Sequence, residues 1–412
     1  MMPTDVTYST DMSSTWVLAS GWAMGLLLIQ LPAVFILMAR LLQGPVRRSP
    51  LQPCHPNLNQ LGQVSVLVPT LNEVHRLSPC LQGLTRQSYE VREILVIDSH
   101  SQDGTPELVI AAQQRDPRIR LLSDEPHPPD WVGRPWALHT GFLHSAKGSE
   151  WILGIDADTQ PQPGLVAALI TAATTEGYDL ISLAPRFILK TPGELWLQPA
   201  LLMTLVYRFG PAGVGADIAE RVMANGQCFL CRRSVLTAMG GYQVARQSFC
   251  DDVTLARQAA ARGAKVGFWD GAHVLKVRMY EGAWETWREW GRSLDLKDAA
   301  TPYQTWGDLW FLTAVQGLPW LVLPGLAFCL WKTSTLPLQL ALGCNLSLVI
   351  MRLALQWAIT PSYDLNQARH QWTFWLSALA DPLAVLRIFL SVLRRPTQWR
   401  GRQYPSSRKG WV

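Results

Sequence analysis

The sequence predicts an α/β domain with a mostly parallel sheet, held between membrane-spanning helices. Three observations carry that reading. Between about Val64 and Leu296, short apolar and β-branched runs alternate with helical patterns, as in a sheet covered by helices on both faces. On either side lie apolar runs long enough to cross a bilayer as a helix, about 20 residues. Within the domain the apolar runs end in carboxylates, most pointedly in "WILGIDADT", where Asp156 and Asp158 close a strand.

The first long run, Trp16 to Met38, is followed by Arg40, Arg47 and Arg48. By the positive-inside rule the N-terminus faces out and the chain beyond this run enters the cytoplasm. The residues before it carry Asp5 and Asp11 rather than a basic cluster, and no small-residue cleavage site follows. A membrane helix within residues 1–45 is therefore expected rather than a signal peptide, then a proline-containing linker over 46–63.

Inside the domain, 64–296, "VSVLVPT" reads as a strand, "LSPCLQGLTRQ" as a helix and "REILVIDS" as a second strand. "GTPELVIAAQQR" is helical, "IRLLS" a strand, "WALHTGFLHSA" a helix and "WILGID" a strand. The stretch from Lys190 to Gln227, apolar and glycine-rich, reads equally as a flexible lid, a membrane-dipping segment or a packing helix.

From 297 to 412 the apolar runs return. Leu309–Trp331 and Leu336–Ile359 have spanning length and read as a hairpin, out and back. Trp372–Leu393 is broken by Asp381, Pro382 and Arg387 and leads into a basic tail. It is expected to be re-entrant or interfacial, its charges lining a protein interior. A fourth span with the tail outside is the alternative.

Composition narrows the class. The chain has 412 residues, 48% of them hydrophobic, and 36 Lys+Arg against 31 Asp+Glu give +5. That charge is too small to argue for nucleic acid, and the basic residues cluster beside apolar segments, as at a cytoplasmic membrane surface. Of seven cysteines the close pair is Cys228 and Cys231; without a second pair it makes no zinc site, and core cysteines are expected.

The strand ends converge on one edge of a parallel sheet, where ligands bind. They carry Glu73, Asp98, Asp103, Asp156 and Asp158. Such a set repels itself unless a cation sits among it, and oxygen-only ligands suit Mg2+ or Mn2+ completed by water and phosphate. Asp156 and Asp158 are the candidate metal ligands; a helix cap is the plainer reading of the pair.

Taken together, "VPTLNE", "VIDSHSQDGT", "DADT" and "FCDDVTLARQ" resemble the family-2 glycosyltransferases over about Val64 to Leu296. The resemblance implies a GT-A fold, a nucleotide-sugar donor and inversion at the anomeric carbon. It implies that Glu73 and Asp98 meet the nucleoside and that Asp158, aided by Asp156, holds the metal on the diphosphate. It makes Asp252 the base that takes the acceptor proton, with Asp251 as the alternative. One base and one metal suffice for a single displacement. Asp251 and Asp252 also suit an N-terminal helix cap.

"WVGRPWALHTG" resembles the family's Gly-Lys-x-x-Ala turn with Arg134 in the lysine position, where it could clamp a phosphate; a surface arginine is the alternative. "YEGAWETWREWGRSL" lies where membrane-bound members carry a Gln/Arg-x-x-Arg-Trp box. Arg288 and Arg292 occupy that region without the final tryptophan. The same segment reads as an interfacial helix with Trp284, Trp287 and Trp290 in one drifting stripe.

The flanking runs and "QWRGRQY" resemble a membrane-bound subgroup that includes ceramide, hopanoid-associated and cyanobacterial carotenoid 2'-O-glycosyltransferases. This implies a lipid acceptor, a myxol-type carotenoid first, with ceramide, hopanoid or diacylglycerol as alternatives. A processive polysaccharide synthase would need more spans and an intact box. A non-catalytic binder should have lost one of the carboxylates. The donor sugar is not legible.

Overall fold

The computed structural model describes residues 8–215, 218–290, 296–393, 398–399 and 402–403. The chain begins with α1 (Tyr8–Leu41), whose apolar length suits a bilayer. The domain then runs β1 (Val64–Thr70), α2 (Val74–Thr85), β2 (Val91–Asp98), α3 (Thr105–Gln113), β3 (Ile119–Ser123), α4 (Gly133–His144) and β4 (Trp151–Ile155). It continues through β5 (Thr159–Pro161), α5 (Leu165–Glu176), β6 (Leu180–Ala184), β7 (Arg186–Ile188) and α6 (Pro192–Phe209). Next come β8 (Cys228–Arg232), α7 (Arg233–Ala238), α8 (Asp251–Ala261), β9 (Val266–Asp270), β10 (Leu275–Val277) and α9 (Gly282–Glu285).

Seven strands form one sheet in the order β3-β2-β1-β4-β8-β6-β9. β1, β2, β3 and β4 are parallel to one another and β6 is parallel to β9. β8 runs antiparallel to both β4 and β6. That reversal matters, because it brings the residues just before β8 to the carboxyl end of β4. Cys228 and Cys231 face into the protein from β8 as buried free thiols. Every residue of β1 and of β4 is buried, which explains why these strands read as continuous apolar runs. α2, α3 and α5 supply apolar side chains to one core cluster against the sheet, and α4, α7 and α8 to another.

A second sheet, β11-β7-β10-β5, joins the domain to the C-terminal region through β11 (Tyr363–Asp364). Lys276 of β10 pairs with Asp364 at 2.8 Å across it. Of the three readings for 190–227, the first half is a packing helix. Thr191 and Glu194 form a capping box at the start of α6, which satisfies the helix's leading N–H groups. Eleven α6 side chains are buried, many in the core shared with the membrane helices.

The C-terminal region holds α10 (Pro302–Lys332), wound as a π turn over Thr313–Gly317, and α11 (Leu336–Ala358). With α1 they are the three helices among the described residues long and apolar enough to cross a membrane. Gln30 of α1 and Asn345 of α11 exchange two hydrogen bonds of 2.9 Å, polar glue where water is scarce. Trp372–Leu393 is folded as α12 (Trp372–Trp375), a 3-10 turn over Ser377–Ala380, and α13 (Asp381–Leu393). Asp381, fully buried, receives Arg352 of α11 at 2.8 and 3.1 Å and Gln316 at 3.2 Å. The charges that interrupt this run thus meet partners inside the protein.

Candidate active site

The carboxylates at the sheet edge converge on one guanidinium. Arg134, in the first turn of α4, donates to Asp156 Oδ1 from Nε (3.0 Å) and Nη2 (2.9 Å), and to the Gly226 carbonyl at 2.8 Å. Its Nη1 pairs with Asp251 Oδ2. The backbone explains the meeting. Asp156 leaves the end of β4, Gly226 and Gln227 arrive from antiparallel β8, and Asp156 N donates to Gln227 O at 3.4 Å. Gly226 N in turn donates to Asp252 Oδ2 at 2.6 Å. One short turn therefore ties the candidate metal carboxylate to the candidate base. Gly226 has no room for a side chain, since a Cβ there would lie 2.8 Å from Arg134 Cζ.

Asp251 and Asp252 open α8 and differ in access. Asp251 is 3% exposed and held by Arg134, whereas Asp252 is half-buried. Burial pushes Asp251 up to about 7, with Arg134 pulling back and Asp252 adding to the rise. Burial also raises Asp252, again opposed by Arg134. Arg134 itself is driven further into its charged form by Asp156, Asp251 and Asp252 despite burial.

Asp158 is half-buried beside the cavity, and its charge and that of Glu73 favour the protonated form of Arg76. Arg76 bonds Glu285 of α9 at 2.9 Å. Glu73 sits at the start of α2, where its N–H donates to Thr105 Oγ1 at 2.9 Å. Asp98 is 8% exposed and accepts from Thr70 Oγ1 (3.2 Å), Ser101 N (3.0 Å) and Ser101 Oγ (2.6 Å). It orders the turn after β2 and does not line the cavity that Asp158 borders. Asp103 likewise holds turns, accepting from Val74 N and Thr105 N at 3.0 Å.

Among the described residues no three His, Cys, Asp or Glu side chains close on one point as a preformed metal cage. The donor set still fits Mg2+ or Mn2+, which take one or two protein carboxylates and complete the shell with water and phosphate. Cys80 lies beneath Asp156, its thiol directed at the Asp156 carbonyl at 3.7 Å, and burial pushes that thiol up to about 12. The cation facing Asp156 here is the Arg134 guanidinium. The clamp expected for a phosphate is thus engaged with carboxylates here.

These groups open into one cavity of about 1440 Å³. Its lining includes Glu73, Arg134, Asp156, Asp158, Asp251 and Asp252. Leu41 of α1, Leu205 and Phe209 of α6, Leu355 of α11 and Leu390 of α13 line it too. Charged groups of the domain and apolar residues of the long helices thus border one space.

The expected tryptophan stripe is not continuous. Thr286–Trp290 winds as a π turn after α9, which changes the angular spacing of the three rings. Trp284 is 72% exposed, while Trp290 is 3% exposed and packs 5.9 Å from Phe187 and from Tyr280. Arg288 is exposed, lines the cavity and pairs with Glu289 at 2.8 Å. Arg387 of α13 clamps the segment, donating to Trp287 O at 2.5 Å and Arg288 O at 3.0 Å. Arg292 lies outside the described residues.

Residues 65–240 match the family model described as Glycosyl transferase family 2. The chain is 23% identical over 239 residues to 4,4'-diaponeurosporenoate glycosyltransferase of Staphylococcus haemolyticus, covering 58% of this chain and 62% of that protein. It is 30% identical over 135 residues to an undecaprenyl-phosphate 4-deoxy-4-formamido-L-arabinose transferase of Aeromonas hydrophila, 32% of this chain and 39% of that one. The chain thus spans less than two thirds of the length of these curated relatives. Among solved structures, the mannosyltransferase PcManGT of Pyrobaculum calidifontis, in complex with GDP-Man and Mn2+, superposes with a TM-score of 0.52 at 19% identity. The match covers 89% of this chain and 99% of that one, and it shows the GT-A fold.

Proposed function

Starting from a chain that carries a family-2 glycosyltransferase domain of GT-A fold, we propose an inverting transfer of one sugar to a membrane lipid hydroxyl. The donor is a nucleotide-sugar. The observation that carries this reading is one cavity lined both by the carboxylates and by apolar residues of the long helices. A water-insoluble alcohol entering along those helices reaches the carboxylates without crossing water.

Asp252 is the base. It reaches the cavity, and its Oδ2 is fixed by Gly226 N, so the carboxylate is oriented before the acceptor arrives. It takes the acceptor hydroxyl proton as the oxygen attacks the anomeric carbon from the face opposite the leaving diphosphate. Asp251, locked by Arg134, positions that pair rather than accepting the proton. Asp156 and Asp158 would hold Mg2+ or Mn2+, which when bound neutralises charge on the departing diphosphate. Glu73 meets the nucleoside, with Asp98 ordering the turn behind it, and Arg288 stands at the rim.

The acceptor we favour is a carotenoid of the myxol type. Its support is the subgroup resemblance and the carotenoid-acid glycosyltransferase among the similar proteins. Three helices of spanning length support a multi-pass protein, and Arg40 in the last turn of α1 with Arg47 and Arg48 after it supports a domain in the cytoplasm. The experiment is transfer by purified protein in lipid nanodiscs. Asp252→Asn should bind donor and fail to transfer; Asp158→Ala should lose metal-dependent donor binding. Full turnover by either variant sinks the mechanism, and products carrying several sugars per acceptor sink the single-transfer reading.

A further inference from the structure

A second concentration of charge sits at the junction between the domain and the membrane helices, behind the Phe209 side of the cavity wall. Four segments each bring an arginine: Arg40 in the last turn of α1, Arg208 in the last turn of α6, Arg221 in the 3-10 turn Ala219–Arg221, and Arg257 on α8. Arg40 donates to Tyr207 O at 3.0 Å and Arg221 to Arg208 O at 2.6 Å. The guanidinium carbons of Arg208 and Arg257 lie 5.3 and 6.0 Å from the centre of one ring, Phe209. None of the four lines the cavity.

The acidic groups facing this cluster are Asp308 of α10, 4.0 Å from Arg208, and exposed Glu220, whose field reaches Arg257. Among the described residues, four cations thus stand near two carboxylates. Arg257 is 7% exposed, and withdrawing such an ion from water costs several kcal/mol unless it is paired. Helix C-termini explain part of the set, since Arg40 and Arg221 bond carbonyls at the end of α6, where the dipole is negative. They do not explain Arg257. Its Nε bonds Val222 O at 3.1 Å and its Nη1 bonds Ala299 O. Its Nη2, buried, has no hydrogen-bond partner among the described residues. Burial lowers Arg257 only to about 10, so it remains a cation at neutral pH.

We infer that this arginine cluster binds a phosphate group at the membrane surface. Guanidinium forks match phosphate oxygens in shape and charge. Arg257 sits in the soluble domain on α8, so it is not simply an arginine reaching out of the bilayer. Arg40, Arg221 and Asp308 are half-buried, and Arg40 and Asp308 belong to two candidate spans. The phosphate is either the headgroup of an anionic lipid or a free ion, and both present the same chemistry.

The test is native mass spectrometry of the full chain in detergent, titrated with phosphatidylglycerol, a phosphate-free galactolipid or inorganic phosphate. Phosphatidylglycerol adducts that are favoured over galactolipid, and weakened about tenfold or more by Arg257→Gln with Arg221→Gln, assign a lipid phosphate. Inorganic phosphate adducts lost in the same variant assign a free ion. Equal adducts in variant and parent, or no preference for phosphate, overturn the site. Should the double variant not fold, Asp308→Asn removes the competing carboxylate and should strengthen the adduct; unchanged or weaker binding there overturns it too.

Discussion

Substituting Gly226 by alanine tests whether the short turn before β8 organises the site. The new Cβ would lie 2.8 Å from Arg134 Cζ and 3.0 Å from Nη1. Carbon contacts are comfortable near 3.5 Å, so the guanidinium must retreat by roughly 0.7 Å. It cannot do so freely. Nη2 is shared between Asp156 Oδ1 at 2.9 Å and the Gly226 carbonyl at 2.8 Å, and Nη1 holds buried Asp251. Losing those bonds leaves a buried carboxylate without its cation, which costs about 3–5 kcal/mol when complete. We expect a loss of about 3 kcal/mol, read as a fall in unfolding temperature on the order of 5 °C in detergent. Donor affinity should fall as well, because Asp156 loses its fixed position. The decisive form is a double-mutant cycle with Arg134→Ala. In that background the alanine methyl meets empty space, so Gly226→Ala should cost less than about 1 kcal/mol, a non-additivity well beyond the usual scatter. Additive effects, or a Gly226→Ala protein as stable as the parent, would refute the coupling.

The same geometry sets three further outcomes. Asp251→Asn should chiefly destabilise while Asp252→Asn should cut kcat about 100-fold or more at unchanged donor affinity; equal kcat losses would leave the base unassigned. Asp251 is raised in the folded protein from 3.8 to about 7, so the native state holds its proton longer. Its contribution to stability is complete below about 4 and fades as pH rises through about 7, whereas turnover needs Asp252 ionised and should fall on acidification. Unfolding and rate profiles with the same pH slope would contradict this pairing. Trp290→Ala, emptying a buried site, should cost about 3–5 kcal/mol, while Trp284→Ala should leave stability within about 0.5 kcal/mol and raise KM for lipid acceptor only. Comparable unfolding curves for the two variants would count against the π-turn geometry.

Much of the domain was legible because its information is local. β1 and β3 match "VSVLVPT" and "IRLLS" residue for residue, since continuous apolar strands bounded by polar turns leave few alternatives. Of the acidic strand ends, Glu73, Asp156 and Asp158 border the cavity while Asp98 and Asp103 hold turns. What stayed hidden depends on partners distant in sequence. The antiparallel setting of β8 leaves no trace in its own pattern, so the meeting of Gly226, Arg134 and Asp252 was invisible. Arg134 looked like a phosphate clamp because a motif shows residue type and not the carboxylates 22 and 117 positions away. The tryptophan spacing assumed an α-helix, and a π turn of five residues redirected Trp290 into the core. The arginine cluster was unreadable because its four members come from four separate segments.

The Arg352–Asp381 pair carries a consequence for biogenesis. Arg352 lies in a helix of spanning length and is 2% exposed in the finished protein. Entering lipid alone, an arginine penalises insertion by up to about 3 kcal/mol. Its acceptor, Asp381, is synthesised 29 residues later, so α11 reaches the insertion machinery ahead of it. The second half of the hairpin should therefore linger in the insertion machinery until α13 arrives. Truncating the chain before Asp381 should then leave α11 poorly inserted although its own sequence is untouched.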